Sequence, residues 1–262
     1  MNDSKVIVIT GSTSGIGLQL KNNFKNLGYT VIGISRSEKD NGITNFACDV
    51  CDDIKLVEIF KKIEINFGKI FMLVNSAGYG ISGITELTST ESAKHEFDVN
   101  FFGTLSTCKL CIPLMPDGGK IVNISSACAI FPLPFRTLYC ASKSAVRMLS
   151  HSLALEVAPL GIEVTAICPG DIKSNFSANR EKHFETNNKY GTRLKTATNK
   201  IDSRENKRMN LQTASNKILK ICLKKHFKPT YIIGAKYKML WFLTKLFPEK
   251  LVHNFIGKKF GK

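Results

Sequence analysis

Short apolar runs recur along this chain with amphipathic stretches between most of them, and that alternation limits the possible folds more than any other feature. The runs lie at Lys5–Thr10, Thr30–Ile34, Thr44–Cys48, Ile70–Asn75, Lys120–Ser125, Glu163–Cys168 and Thr230–Ile233. Helical periodicity covers Gly15–Leu27, Ile54–Phe67, Ser92–Met115, Thr137–Ala158 and Leu211–Lys225. Strands spaced by helices of about 10–20 residues predict βαβ units and a parallel sheet covered on both faces. The runs "VIVIT" and "FMLVN" are apolar throughout, as strands buried on both sides must be. A length of 262 residues suits one large domain and is short for two. The predicted fold is therefore α/β: a doubly wound parallel sheet of about seven strands in three layers, α/β/α, with a C-terminal helical extension.

Some classes of protein are excluded. With 43% hydrophobic and 22% charged residues, a packed core is expected and wholesale disorder is not. No apolar run approaches the 18 or so residues of a membrane-spanning helix. The N-terminal "MNDSKVIVITG" lacks the basic and then apolar regions of a secretory signal, so a cytoplasmic location is expected. Cys48/Cys51 and Cys108/Cys111 have C-x-x-C spacing. Neither pair carries the flanking glycines or histidines of a zinc knuckle, so buried free thiols and no metal are expected.

The first run leads into "TGSTSGIG", Thr10 to Gly17, and then into a helix. Gly11, Gly15 and Gly17 allow a tight turn, and with Ser12, Thr13, Ser14 and Ile16 they form a loop that presents helix N–H groups to a pyrophosphate. The second strand ends in "GISRS": Ser35 stands where NAD-binding sheets place an acid, and Arg36 and Ser37 follow. A guanidinium can grip a 2′-phosphate that a carboxylate would repel, which favours NADP(H). Asp49 and Val50 after the third strand are placed to meet the adenine, and Asn75, Ala77 and Gly78 in "NSAG" put small residues beside the cofactor.

Tyr139 and Lys143, in "YCASK", lie four apart and share one face of a helix. An ammonium near a phenol favours the phenolate and fits it to move a proton to or from an alcohol oxygen. Ser126, thirteen residues earlier in "KIVNISSACA", can hydrogen-bond a substrate carbonyl. His95 and His151 have no ligand-like partners and read as structural or surface residues; Cys140 and Cys168 read as packing residues.

Taken together, "TGSTSGIG", "CDV", "NSAG", "DVNFFGT", "IVNISS", "YCASK" and "CPGDIKS" resemble the short-chain dehydrogenase/reductase family, a single-domain Rossmann-type fold, across residues 5–175. The resemblance implies a catalytic tetrad of Asn100, Ser126, Tyr139 and Lys143. Tyr139 would be the acid/base and Ser126 would position the substrate oxygen. Lys143 would hold the nicotinamide ribose and tune the phenol, and Asn100 would keep a relay water. It also implies that Pro169, Gly170, Ile172 and Ser174 turn over the nicotinamide. Ser76 departs from the family, which often has asparagine there. A homodimer, with a tetramer as the variant, is expected.

Two segments stand outside the motifs. Residues 174–210 are long and polar and read as a lid over the substrate. Residues 235–262 form a basic amphipathic extension. The formal net charge is +16, and from residue 217 onward twelve lysines face a single acid, Glu249. After Pro248, Leu251, Val252, Phe255 and Ile256 fall on one helical face. Three readings of this tail stay open: a cap on the substrate pocket, peripheral attachment to an anionic membrane, or nucleic-acid binding, for which no motif is present. The extended tail is similar to that of family members handling hydroxysteroids, retinoids and acyl-glycerone lipids, and "AIFPLPF" agrees with an apolar substrate. The expected function is NADP(H)-dependent carbonyl–alcohol interconversion on such a substrate. The alternatives are a soluble reductase of small carbonyls or 3-oxoacyl thioesters, and a non-catalytic NADP(H) sensor.

Overall fold

The computed structural model describes residues 5–116, 118–174, 181–183, 187, 189–202 and 208–260. Seven strands form one sheet: β1 Val6–Thr10, β2 Thr30–Ser35, β3 Asn45–Ala47, β4 Met72–Asn75, β5 Lys120–Ile124, β6 Glu163–Pro169 and β7 Thr230–Ile233. Their order across the sheet is β7-β6-β5-β4-β1-β2-β3, and every pairing is parallel. The order reverses beside β1, which pairs with β2 on one side and β4 on the other. A crevice opens there at the C-terminal ends of the strands, where open α/β sheets bind ligands.

The pleat of β1 shows how the sheet divides the core. Val6 and Val8 pack into one cluster with residues such as Phe46, Leu56, Ile59 and Leu153, while Ile7 and Ile9 pack into another with Leu20, Phe24 and Ile218. The first cluster lies under helices α2 Asp53–Phe67, α4 Gly103–Cys111 and α5 Thr137–Glu156. The second lies under α1 Gly15–Asn26 and α7 Leu211–Cys222. Cys108 and Cys111 are buried in the first cluster.

The expected continuous helix from Ser92 to Met115 is broken. It runs as α3 Thr90–Phe97, a wider π turn over Asp98–Phe102, then α4, and closes in a 3-10 turn at Ile112–Leu114. Such wide turns are frequent at functional sites, and this one carries Asn100.

Only part of the expected lid is described. It includes α6 Arg193–Asp202, held by buried Leu194 and Ala197. Two short strand pairs tie the segment to the domain, Glu181–Lys182 beside Ile81–Ser82 and Met209–Asn210 beside Ile172–Lys173. Residues 175–180, 184–186, 188 and 203–207 of the 174–210 prediction lie outside the described residues, as do the first four and last two residues. The C-terminal extension forms two helices, α8 Ala235–Thr244 and α9 Glu249–Phe260. The sequence pattern anticipated only the second.

Candidate active site

The loop after β1 is shaped by close contacts. Gly11 has φ +65°, and a Cβ there would meet the Ala77 nitrogen at 2.8 Å; one on Gly17 would lie 2.2 Å from the Gly11 carbonyl. Gly17 thus packs α1 onto β1 and does not line the crevice. Gly15, at φ +50°, has open space where a side chain would stand. Ser14 caps α1 without a side-chain bond, so nothing from Ser14 covers the N–H groups of the first turn. That cradle fits the pyrophosphate of a dinucleotide of the NAD(P)(H) class.

Ser12 departs from its expected role at the cofactor. It is fully buried and donates a short hydrogen bond to Glu38, whose other oxygen takes Lys21 Nζ at 2.6 Å. Lys21 also reaches Asn45 at 2.9 Å. This buried cluster fixes the loop after β2 from behind, and the loop's outer side carries the hydroxyls. Thr13 lies 2.8 Å from Ser35 Oγ and 2.9 Å from Ser37 Oγ. Arg36 extends beside them with a side chain 75% exposed, its Nε 4.0 Å from Asp49 Oδ2.

A cleft of about 1070 Å³ runs from this loop past the ends of β4 and β5 to the C-terminal helices. Gly11, Thr13, Ser14, Gly15, Ile16, Ser35, Arg36, Ser37, Asp49 and Val50 line one end. Ala77, Gly78, Ser126, Tyr139, Lys143, Pro169, Gly170, Ile172 and Ser174 line the middle. Asn75 and Asn100 do not line it. Asn75 points into the core, donating to Asn123 Oδ1 at 2.9 Å and accepting from Thr107 at 2.8 Å. Its position ends a strand whose side chains alternate between faces, so only its neighbours Ser76, Ala77 and Gly78 reach the crevice.

Asn100 is fully buried directly behind the cleft. It donates to the Tyr79 carbonyl at 2.9 Å and to Ser142 Oγ at 3.0 Å, and accepts from Tyr79 N–H at 3.1 Å. A Cβ on Gly78 would come within 2.7 Å of Asn100 Oδ1 and 3.1 Å of Lys143 Nζ. Glycine at 78 therefore lets the amide and the ammonium approach one another.

Helix α5 presents Tyr139 and Lys143 to the cleft, as their spacing predicts. Lys143 Nζ donates to the Ile124 carbonyl at 3.2 Å, and burial pushes its pKa down to about 8. The Tyr139 phenol hydrogen-bonds Ser126. The hydroxyl of the neighbouring Ser125 is instead engaged by the backbone, donating to the Lys143 carbonyl at 2.7 Å. Burial pushes the Tyr139 phenol up; the charge of Arg136 and the bond from Ser126 pull it down. The cation acting most on the phenol is thus Arg136, which stands over its ring at 4.3 Å, and not Lys143 as the helical spacing suggested.

The far end of the cleft is apolar. Leu240 and Leu243 of α8, Phe247, and Leu251, Val252, Phe255 and Ile256 of α9 form its wall. Tyr237 anchors α8 by donating to Asp171 Oδ2 at 2.6 Å, and its ring lies so near Gly170 that a Cβ there would overlap it at 2.1 Å. His95 also lines the cleft, its ring 5.6 Å from that of Tyr79, whereas His151 is a structural residue paired with Thr230 at 2.6 Å.

Residues 5–185 match the family model for short chain dehydrogenases. The chain belongs to that family. This dehydrogenase is 33% identical over 251 residues to the probable short-chain type dehydrogenase/reductase VdlC of Helicobacter pylori, covering 92% of this chain and 93% of VdlC. It is 36% identical over 180 residues to the 3-ketodihydrosphingosine reductase of Bacteroides thetaiotaomicron, with 67% of each chain covered. The dehydrogenase also superposes on the structure of ElxO with NADP bound at a TM-score of 0.72 and 27% identity, covering 90% of this chain and 99% of ElxO.

Sequence reasoning overlooked Arg136 and Glu96. Arg136 is the non-helical residue that caps the start of α5, φ -135° and ψ 30°, so helical spacing does not place it over Tyr139; the turn before the helix does. Glu96 is fully buried below the cleft floor, where burial raises its carboxyl pKa to about 7.

Proposed function

We propose that this chain is an NADP(H)-dependent oxidoreductase that interconverts a ketone or aldehyde and an alcohol on a largely apolar substrate, a keto-lipid or a hydroxysteroid. The observation that carries the reading is one cleft with the Ser126–Tyr139 hydrogen bond in its middle and the apolar wall of α8 and α9 at its far end.

The cradle of Gly11, Thr13, Ser14 and Gly15 would hold the pyrophosphate, and Ser35, Arg36 and Ser37 the 2′-phosphate. Asp49 and Val50 would meet the adenine. When bound, the cofactor supplies or accepts a hydride. The chain's own residues handle the proton and the geometry. Ser126 donates to the carbonyl oxygen and keeps it against Tyr139. Tyr139 gives its phenolic proton to that oxygen in reduction and takes it back in oxidation. Lys143 holds the ribose from the floor of the cleft, and Asn100 braces the Tyr79 backbone and helix α5 around it. The apolar wall excludes water and admits a hydrocarbon body. The 3-ketodihydrosphingosine reductase among the relatives acts, by its name, on a keto-lipid, and this agrees with the reading.

A second property follows from the tail. Met239 and Phe242 of α8 and Leu246 just after it are 59–62% exposed and do not line the cleft, and Lys238, Lys245 and Lys250 are close to them in sequence. A helix apolar on both sides needs a second partner, and lysines beside exposed aromatics favour the surface of an anionic bilayer. The protein attaches there peripherally, through this exposed face.

The test is NADPH oxidation with 3-oxo substrates of increasing chain length. kcat/KM rises with length, and Tyr139→Phe abolishes turnover. A preference for small polar ketones removes the lipid reading, and an unchanged rate in Tyr139→Phe removes the mechanism.

A further inference from the structure

The side chain of Arg136 is more than nine-tenths buried, and it lines the substrate part of the cleft beside Tyr139. Its guanidinium face lies over the Tyr139 ring, 4.3 Å from the centroid. Stacking satisfies the face of a guanidinium and leaves its N–H donors, which lie in the plane, free to bond. Here Nε and Nη2 are both buried without a hydrogen-bond partner among the described residues. A buried cation in that state is strongly disfavoured unless an anion joins it.

The nearby carboxylates do not supply that anion. Glu96 is close enough for Arg136 to influence its titration, yet its Oε2 is also left without a partner. Asp171 is taken by Tyr237, and Glu181 by His183 at 2.6 Å. The backbone holds Arg136 in this place: Phe135 has φ +62°, an unusual conformation for a bulky residue, and its carbonyl accepts Gly83 N–H at 3.0 Å. A Cβ on Gly80 would lie 3.2 Å from Nη2, so the loop before Ile81–Ser82 also leaves room for the guanidinium.

Building on the oxidoreductase reading, we propose that Arg136 is the anion-binding residue of the substrate site and that the substrate is an amphiphilic oxo acid or hydroxy acid. Its carboxylate pairs with the guanidinium once a small turn of the side chain opens the buried Nε and Nη2 edge to the cleft, and its alkyl body lies along Leu240, Leu243 and Phe247. Because the guanidinium sits on the same phenol that meets the reacting oxygen, the carboxylate must be near that oxygen, as in a 2- or 3-hydroxy acid. A substrate with an ammonium beside the carbonyl is disfavoured at the same spot.

The experiment compares 3-hydroxydecanoate with its methyl ester as substrates for NADP+ reduction, in the native protein and in Arg136→Gln and Arg136→Lys. Equilibrium binding of 3-hydroxydecanoate to the NADP+-loaded protein is measured by calorimetry alongside. The native enzyme prefers the acid by about 10- to 100-fold in kcat/KM, the range expected for charge-assisted hydrogen bonds. Arg136→Gln collapses that ratio, chiefly through KM of the acid, and Arg136→Lys restores part of it. Equal use of acid and ester by the native enzyme, or equal losses for both in Arg136→Gln, overturns the proposal. If neither alcohol is oxidised but the acid binds natively and not to Arg136→Gln, the oxidoreductase reading fails and the anion site stands. If the native protein does not bind the acid, or Arg136→Gln binds it equally well, the anion site is overturned.

Discussion

Lys143 Nζ is bonded to the main-chain carbonyl of Ile124, 3.2 Å away, so the catalytic helix is tied to the end of the central strand through its own ammonium. Burial brings the pKa of that ammonium down to about 8. Below this value Lys143 is charged; as pH rises through it, the charge proposed to hold the ribose is lost. Carbonyl reduction by the native enzyme should therefore decline on the alkaline side near pH 8, read as kcat/KM against pH. Lys143→Met should lower kcat/KM by about a thousandfold. A reduction rate flat across pH 7–9.5 would remove Lys143 from this role.

Arg36 has a side chain 75% exposed beside the Ser35 and Ser37 hydroxyls. Arg36→Asp places a carboxylate where the 2′-phosphate would lie and adds to the charge of Asp49, 4.0 Å from the present Nε. Affinity for NADPH should fall about 10- to 100-fold relative to NADH, measured by fluorescence titration of both cofactors. Equal effects on the two would take Arg36 out of the cofactor site.

Glu96 is fully buried, and its carboxyl pKa rises from 4.5 to about 7 because burial disfavours the charged form. The folded protein thus binds more protons at this site than the unfolded chain between those values. Stability must fall as pH rises from 4.5 to 7, with the full penalty above 7, on the order of 3 kcal/mol at most. Glu96→Gln keeps an acceptor for the Ile81 N–H and removes the ionisation. Urea unfolding at pH 5 and pH 7.5 should show a smaller difference in Glu96→Gln than in the native protein; the same difference in both would refute the assignment.

Phe242 and Leu246 lie on the exposed side of the tail, and neither lines the cleft. The double variant Phe242→Glu/Leu246→Glu should lower partitioning onto phosphatidylserine-containing vesicles by about tenfold or more in a sedimentation assay. Native binding should weaken with added salt and be poor on purely zwitterionic vesicles. Binding that ignores both lipid charge and the double variant would leave the exposed face unexplained by a bilayer.

Much of the fold was legible because its signals are local. Apolar runs such as "VIVIT" can satisfy both faces of a strand only inside a parallel sheet, and the expected Thr230–Ile233 strand has the same bounds in the structure. Tyr139 and Lys143 were legible for the same reason, since helical spacing alone puts them on one face. What escaped depended on direction or on distant contacts. Ser12 and Asn75 sit among cleft residues in the sequence but turn their side chains to Glu38 and Asn123. The π turn at Asp98–Phe102 leaves the apolar pattern intact, so the break in the helix could not be read from it. Helix α8 has apolar and basic residues all round, without the one-sided stripe that marks an amphipathic helix. Arg136 escaped because it precedes α5 in a non-helical conformation after Phe135 at φ +62°, and its place over the Tyr139 ring and its lack of a partner appear only after the neighbouring segments are folded against it.

The apolar wall that α8 and α9 give the cleft also bears on how the protein must be handled. A detergent monomer is a hydrocarbon chain with a polar end, the same chemistry as the substrate proposed for this wall. If the proposed substrate class is right, any surfactant added to keep the exposed aromatics of the tail in solution would compete for the cleft, and purified material would look slow for reasons unrelated to its chemistry. Nanodiscs of long-chain lipid would give the tail a surface with little free amphiphile to fill the cavity behind it.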